Sequence, residues 1–306
     1  SILIKKKFKV YIIDNLSTGY LYNVNKKARF YKKDIRDDKF LTNLLKREKI
    51  KNVIHLAASM SNDDSIKNPF KYYDNNIYST FKLLKSCSKA KIQNFIFSSS
   101  CAVYGKNQTP KISENHPKNP VAPYGLTKLT SETLLKKIAP NKFNYTILRY
   151  FNVVGADMVN KNGQIFRNNQ LFQNIALSII ENKKLIVYGK KFKTKDGYAI
   201  RDYIDVNDLA YLHFKFIEKL NKGRKNYTVN CGYGRGYTVK EILDKFEKIE
   251  GKKINYKVKN ERYGDIPISI CNNTYLKKII KWKPKFKDIE KSIKNTIEWN
   301  KYLKNN

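Results

Sequence analysis

Residues 94–151 open on Asn94-Phe95-Ile96-Phe97-Ser98 and close on Tyr145-Thr146-Ile147-Leu148-Arg149-Tyr150-Phe151. Both runs are mostly apolar, and a helical stretch, Tyr124 to Ile138, lies between them. An apolar run without alternation marks a strand buried on both faces, as in a parallel sheet covered by helices on each side. The same rhythm extends upstream. Val10 to Asp14 is a short apolar strand ending in an acid. Asp37 to Lys49 is a helix with Phe40, Leu41, Leu44 and Leu45 at helical spacing. Asn52 to Ala57 is a strand, and Asp74 to Lys89 a helix with Ile77, Phe81, Leu84 and Cys87 on one side. Alternation of this kind predicts an α/β fold built on a doubly wound parallel sheet with right-handed crossovers.

After Asn152 the pattern loosens. Asn160 to Gln170 is polar, and a helix follows through Ile180. Leu185 to Tyr188 is a strand, Val206 to Leu220 a helix and Tyr227 to Asn230 a strand. Gly232, Gly234 and Gly236 then make a turn, and Ser292 to Leu303 is the last helix. These elements predict a smaller α+β lobe over residues 154–306, after a first domain over residues 1–153.

Composition sets bounds on function. The chain has 306 residues, 41% of them hydrophobic and 13% aromatic, which suits a globular fold and not a disordered one. No apolar run reaches the roughly 18 residues that span a bilayer, so no membrane association is expected. Cys87, Cys101, Cys231 and Cys271 are far apart, which suggests neither a zinc site nor a disulfide framework and points to a reducing cytoplasm. The net charge of +36 invites a polyanion partner. The lysines are dispersed along the whole chain, however, and arginine is scarce, so compositional drift accounts for the charge better than a specific nucleic-acid surface does.

The sharpest chemical signal is Tyr124-Gly125-Leu126-Thr127-Lys128. Four residues apart on a helix, the two side chains share a face. A neighbouring ammonium favours the phenolate, so the pair can take a proton from a sugar hydroxyl as hydride leaves the same carbon. In a lysine-rich chain the spacing also arises by chance, on a solvated helix face. Its context adds weight. Ser98-Ser99-Ser100 ends a buried strand, where ligands bind in open α/β sheets, and Ser100 could bond the same hydroxyl. The plain alternative is a strand-ending turn.

Taken in order, Phe95-Ile-Phe-Ser98-Ser99-Ser100-Cys101-Ala-Val-Tyr104-Gly105, then Pro123-Tyr124-Gly125 with Lys128, then Leu148-Arg149-Tyr150-Phe151-Asn152, resemble the UDP-glucose 4-epimerases of the extended short-chain dehydrogenase/reductase superfamily. Further segments agree with this family: Asp14-Asn15-Leu16-Ser17-Thr18-Gly19, Asp34-Ile35-Arg36, His55-Leu56-Ala57-Ala58, Tyr72-Tyr-Asp74-Asn75-Asn76, Arg201-Asp202-Tyr203-Ile204-Asp205, and Arg262-Tyr263-Gly264-Asp265. Each motif is weak or moderate alone, and the ordered set is specific.

The resemblance implies a Rossmann-like domain that binds NAD, a lobe that binds a UDP-sugar, and a homodimer. It implies catalysis by Ser100, Tyr124 and Lys128. The cofactor would meet Asp14, Asn15, Asp34, Ile35, Leu56, Ala57, Asn75, Tyr124, Lys128 and Phe151. The substrate would meet Ser100, Asn152, Asn169, Tyr188, Arg201, Arg262, Asp265 and Ser269. An acid at the end of the second strand accepts ribose hydroxyls and repels a 2′-phosphate, which favours NAD over NADP. Guanidinium groups at positions 201 and 262 suit a pyrophosphate.

Three departures qualify the resemblance. The family opens with a strand and a GxxGxxG loop that cradles the NAD pyrophosphate. Here Ser1 to Phe8 resembles the helix after that loop, so about 20 residues of the βαβ unit are expected to be missing from this sequence. Met60 stands where many relatives carry lysine. Ser269 stands at a position that governs sugar size, and a small residue there leaves room for an N-acetyl group. Two alternatives stay open. One is another nucleotide-sugar enzyme, such as a UDP-glucuronate decarboxylase or epimerase. The other is a non-catalytic remnant that binds polyanions. A 4,6-dehydratase is disfavoured, because Cys101 and Ala102 replace the acidic pair that would follow Ser100.

Overall fold

The computed structural model describes residues 1–306 except 107–108, 160, 166–169, 224 and 306. In chain order, α1 (Ile2–Lys5), β1 (Tyr11–Asp14), β2 (Arg29–Lys32), α2 (Asp38–Arg47), β3 (Asn52–His55), α3 (Asn62–Lys67) and α4 (Pro69–Tyr72) lead into a π-helical turn, Tyr73–Tyr78, and then α5 (Ser79–Lys89). Next come β4 (Asn94–Ser100), the short β5 (Lys111–Ile112), α6 (Pro123–Ile138), β6 (Asn144–Tyr150), β7 (Asn152–Val154), α7 (Leu171–Glu181) and β8 (Leu185–Tyr188). The chain continues with β9 (Ile200–Asp205), α8 (Val206–Leu220), β10 (Tyr227–Cys231), β11 (Gly236–Thr238), α9 (Val239–Glu250), β12 (Tyr256–Lys259), β13 (Ile268–Cys271), α10 (Thr274–Ile280) and α11 (Ile289–Lys304). Two compact units result. One holds Ser1–Lys106, Glu114–Tyr150 and Tyr211–Val229. The other holds Asn107–Ser113, Phe151–Ala210 and Asn230–Asn306.

The first unit is α/β, as the apolar runs predict. Its strands form a parallel β1–β2 pair and a sheet of order β10-β6-β4-β3, in which β3–β4 and β4–β6 are parallel. Leu41 and Leu45 of α2, Leu84 and Cys87 of α5 and Leu135 of α6 close over Phe95, Phe97 and Ile147 of the strands. Each large buried side chain here contributes about 1.5–3 kcal/mol relative to an exposed one. Asp37 caps α2 by accepting from the Phe40 amide at 3.0 Å.

Asparagine keys the strand register. Asn52, Asn94 and Asn144 stand in line across β3, β4 and β6. Asn94 Nδ2 donates to Asn52 Oδ1 at 2.8 Å and to Asn221 Oδ1 at 2.7 Å, and Asn144 Nδ2 donates to Asn94 Oδ1 at 3.0 Å.

Three boundaries differ from the sequence reading. β4 runs on through Ser99 and Ser100, because β6 keeps pairing with it as far as Ser100 opposite Tyr150. β3 stops at His55, which leaves Leu56 and Ala57 exposed. The helix expected over residues 74–89 starts earlier, as α4, and passes through the π-helical turn. Its buried face after that turn runs through Thr80, Leu83, Leu84 and Cys87, with Phe81 at the edge and 42% exposed.

In the second unit, β9 is central to a sheet of order β11-β9-β13-β5, with β7 also paired to β9, and β12 pairs with β8. The β11–β9 pair is antiparallel. The β13–β9, β13–β5, β7–β9 and β12–β8 pairs are parallel. Phe172, Ile175, Tyr203, Phe246, Ile293 and Ile297 belong to its core. Three buried carboxylates, Asp202, Asp205 and Asp208, fasten distant segments to β9 and the start of α8. Asp202 accepts from the amides of Tyr233, Gly234 and Cys271, at 3.0, 2.8 and 3.1 Å. Asp205 accepts from the Ser292 hydroxyl at 2.6 Å. Asp208 accepts from the Tyr233 hydroxyl at 2.7 Å and from the amides of Lys285 and Phe286 at 2.9 and 2.8 Å.

Candidate active site

Pro123 occupies the first turn of α6, where its missing N–H costs nothing. Gly125 lets that turn press on the strand exit: a Cβ there would stand 2.6 Å from the Ala102 carbonyl oxygen. Close approach puts Tyr124 near Ser100, whose Oγ accepts from the Ala102 amide at 3.1 Å. The Tyr72 ring meets the Tyr124 ring edge-on, centroids 6.4 Å apart.

Burial pushes the Tyr124 phenol up to about 12, against the opposing effect of the nearby Ser100 hydroxyl. The net shift is therefore upward, with burial outweighing the lowering expected from the sequence. Lys128 Nζ donates to the Ser98 carbonyl at 2.8 Å and lies 5.1 Å from the centroid of the Phe97 ring. Burial draws Lys128 down to about 8, while the nearby Glu132 carboxylate works the other way.

Of the residues expected at the cofactor, Asp14, Asn15, Asp34, Ile35, Leu56 and Ala57 lie at or just after the carboxyl ends of β1, β2 and β3. Asp14 Oδ1 accepts from the Leu16 amide at 2.7 Å, and a Cβ on Gly19 would stand 2.9 Å from Asp14 Oδ2. A side chain at position 19 would press on that carboxylate from this side. Asn15 Nδ2 donates to Asp34 Oδ2 at 3.1 Å, and Arg36 clasps Asp34 through Nε and Nη2 at 2.9 and 2.8 Å. Ile35 is partly buried against the core of this unit. Leu56 and Met60 are 61% and 56% exposed, an apolar surface at the end of β3. Asn75 Nδ2 reaches Ser59 Oγ at 3.0 Å. An open carboxylate, exposed apolar side chains and amide groups at strand ends fit a ribose-bearing dinucleotide. Phe151 lies in the second unit and is 3% exposed, with its amide donating to the Cys231 carbonyl at 3.0 Å.

Apart from Ser100, the described residues expected at the nucleotide sugar belong to the second unit. Arg201 Nη1 donates to the Ile200 carbonyl at 3.0 Å, and Arg201 stands opposite Ser269 in the β9–β13 pair. Arg262 lies over the Tyr188 ring at 4.8 Å and bonds Asp265 through Nη2 at 3.1 Å. Asn152 Nδ2 donates to the Asp202 carbonyl at 3.0 Å. Ser269 is buried, and Asn169 lies outside the described residues.

A profile of the NAD dependent epimerase/dehydratase family matches residues 1–232. The chain belongs to this family. It is 35% identical over 302 residues to the UDP-glucose 4-epimerase of Lactobacillus helveticus, a match that covers 98% of this chain and 92% of that protein. The crystal structure of UDP-glucose-4-epimerase from Stenotrophomonas maltophila, with bound NAD and formylated UDP-arabinopyranose, superposes with a TM-score of 0.95. The identity is 30%, and the match covers 99% of this chain and 94% of that one. The UDP-Glc/GlcNAc 4-epimerase of Campylobacter jejuni is 34% identical with a TM-score of 0.83, covering 98% and 94%.

Set among the motifs of this epimerase/dehydratase family are residues that sequence reasoning passed over. Glu132 and Arg149 are both 0% exposed and joined to each other. Asn76, 2% exposed, accepts from the Ser59 amide at 2.8 Å and donates to Thr127 Oγ1 at 3.0 Å, next to Lys128. His55 Nε2 meets Thr80 Oγ1 at 2.9 Å, and burial lowers the imidazole to about 3, so the ring is neutral. The available signal was position: Glu132 is one helical turn beyond Lys128, on the same face.

Proposed function

We propose that the protein catalyses the NAD-dependent 4-epimerisation of a UDP-hexose, interconverting UDP-glucose and UDP-galactose through a transient 4-keto sugar. The carrying observation is Tyr124 near Ser100, with Lys128 buried one turn along α6 and its Nζ on the Ser98 carbonyl, in a chain whose relatives above bear 4-epimerase names. Tyr124 Oη takes the 4-hydroxyl proton and later returns it on the opposite face of the sugar. Ser100 Oγ holds that hydroxyl in line with the phenol. Lys128 Nζ, anchored on the Ser98 carbonyl, keeps positive charge near the proton acceptor. NAD, when bound, accepts the C4 hydride and gives it back, and its cationic ring favours the phenolate. Asp14, Asn15, Asp34, Ile35, Leu56, Ala57, Asn75 and Phe151 serve the cofactor. Arg201 and Arg262 bind the pyrophosphate, Asp265 and Tyr188 the uridine end, and Asn152, Asn169 and Ser269 the sugar.

Several observations support the finer parts of this reading. Ser269 is small, and a relative 34% identical carries both Glc and GlcNAc in its name; acceptance of the N-acetylated sugar follows. Tyr78, Phe81 and Leu126 on the π-helical turn, α5 and α6 are 47%, 42% and 42% exposed, an apolar set suited to a homodimer contact. Buried thiols at Cys87, Cys231 and Cys271 suit a reducing cytoplasm. No helix among the described residues is long and apolar enough to cross a membrane.

The test supplies NAD and UDP-galactose and follows UDP-glucose by chromatography. Formation of UDP-glucose, reduced by about 10²–10⁴-fold in Tyr124→Phe, supports the reading. Turnover that survives the substitution removes Tyr124 from it.

A further inference from the structure

Behind the Tyr124–Lys128 pair lies a buried ion pair that the epimerisation chemistry does not itself use. Tyr124, Lys128 and Glu132 follow one another at successive turns on one face of α6. Three consecutive serines at the end of β4 each engage one of them. The Ser98 carbonyl accepts from Lys128 at 2.8 Å, Ser99 Oγ donates to Glu132 Oε1 at 2.6 Å, and the Ser100 hydroxyl lies near enough to Tyr124 to bear on its phenol.

This strand end is held on one side only. Pairing of β3 with β4 stops at His55 opposite Phe97, whereas pairing of β4 with β6 continues to Ser100 opposite Tyr150. Residues 98–100 therefore have strand hydrogen bonds toward β6, and further fixation comes from α6 and, for the Ser100 hydroxyl, from the Ala102 amide at 3.1 Å. Ser99 stands directly opposite Arg149 in the β4–β6 register. Both bond the same carboxylate: Arg149 reaches Glu132 through Nε at 2.9 Å and Nη2 at 2.6 Å. Arg149 is in turn fixed by the Tyr104 hydroxyl at 2.8 Å, with its guanidinium 4.9 Å from the centre of the Tyr104 ring. The Lys136 ammonium is 3.6 Å from Glu132. A carboxylate held by two parallel guanidinium bonds has little freedom to move, and a buried ion pair is no better for stability than well-packed apolar side chains. What apolar side chains cannot supply is an acceptor for Ser99.

We infer that Glu132 is a positioning residue for Tyr124 and Lys128: clamped by Arg149, it holds Ser99, and through Ser99 it fixes the Ser98 carbonyl and the Ser100 hydroxyl against α6. The inference rests on the epimerase reading for the tasks of Tyr124 and Lys128. Glu132 touches neither substrate nor cofactor in it. The carboxylate also supports the charge on Lys128 against the effect of burial.

Ser99→Ala removes the clasp and leaves the Glu132–Arg149 pair intact, so the fold is retained. In full-length protein with NAD, kcat for UDP-galactose is expected to fall about ten- to a hundredfold, with KM changed less than about twofold. Ser99→Thr, which keeps the hydroxyl, restores most of kcat. A second arm reads position without turnover: amide hydrogen exchange by mass spectrometry, expected to quicken in residues 98–104 and 124–132 of Ser99→Ala and to stay unchanged in α9 and α11. If the parent interconverts the two sugars and Ser99→Ala matches it in kcat, or loses kcat and substrate affinity together, the inference is overturned. A parent that shows no epimerisation defeats the functional reading, and the exchange arm then decides the positioning role by itself: unchanged exchange at 98–104 rejects it.

Discussion

Lys128 Nζ donates to the main-chain carbonyl of Ser98 at 2.8 Å, a bond formed wholly inside the first unit. The ammonium is thus held before any ligand arrives, and its proton is weakly held, at about 8. Since the shift is downward from 10.5, the charge is present below about pH 8 and is lost above it. The kcat/KM for UDP-galactose is expected to fall along an alkaline limb beginning near there. Lys128→Met should lower kcat by about 10²-fold or more and abolish the limb. A limb that persists in the variant would assign the titration to another group.

Asp34 answers to pH in the opposite sense. The Arg36 guanidinium holds its carboxyl down to about 2, below the usual value of about 3.9 for an unfolded chain. Its stabilisation is fully present above about pH 4 and is lost as pH falls through about 2. Both partners are partly exposed, so solvent screening leaves about 1 kcal/mol. Thermal unfolding of Asp34→Asn against the parent should show this gap at pH 6 and little of it at pH 2. A gap unchanged by pH would place the effect outside the ion pair.

Asn94 is the middle rung of the asparagine ladder and makes three side-chain hydrogen bonds through one amide. Asn94→Ala takes a partner from the half-buried amides of Asn52 and Asn144. It should cost about 1–2 kcal/mol in urea unfolding, with an unchanged m-value. Asn52→Ala, at the end of the ladder, should cost less. Equal losses would show that the rungs act independently of register.

Ser269 faces Arg201 across the β9–β13 pair and is 6% exposed. Ser269→Tyr should depress turnover of UDP-N-acetylglucosamine by about tenfold or more and spare UDP-galactose, the modest discrimination a change of pocket volume can supply. Comparable rates for both proteins on the acetylated sugar would count against a size gate at this position.

Much of the first unit was legible because its strands are written in apolar runs and its helices in apolar periodicity. Val10 to Asp14, Asp37 to Lys49 and Tyr124 to Ile138 each appear within a few residues of the expected limits. The end of β4 was misread because serine favours turns locally, whereas here β6 supplies the partner that extends the strand. Phe81 was placed on the buried face by spacing alone, and the helix turns Thr80 and Leu83 there instead. The electrostatics of Tyr124 and Lys128 could not be read from their spacing. A shared face does not say that the ammonium will choose a main-chain carbonyl over a phenol. Glu132 was passed over because a glutamate on a lysine-rich helix reads as solvated, and only the fold shows Arg149 closing on it. No local signal announces that residues 211–229 return to the first unit.

That return has a consequence for synthesis. β10 joins the edge of the β6 strand, so the first unit waits for residues made after Phe151–Ala210 have already left the ribosome. The second unit waits longer: Asp205 finds Ser292, and Asp208 finds Lys285 and Phe286, only when nearly all of this chain has emerged. Domains commonly fold in order from the N-terminus as they are made. Here neither unit can finish early, and a nascent chain stalled near residue 210 would carry Asp202 and Asp205 of β9 and Asp208 of α8 still lacking the segments they fasten.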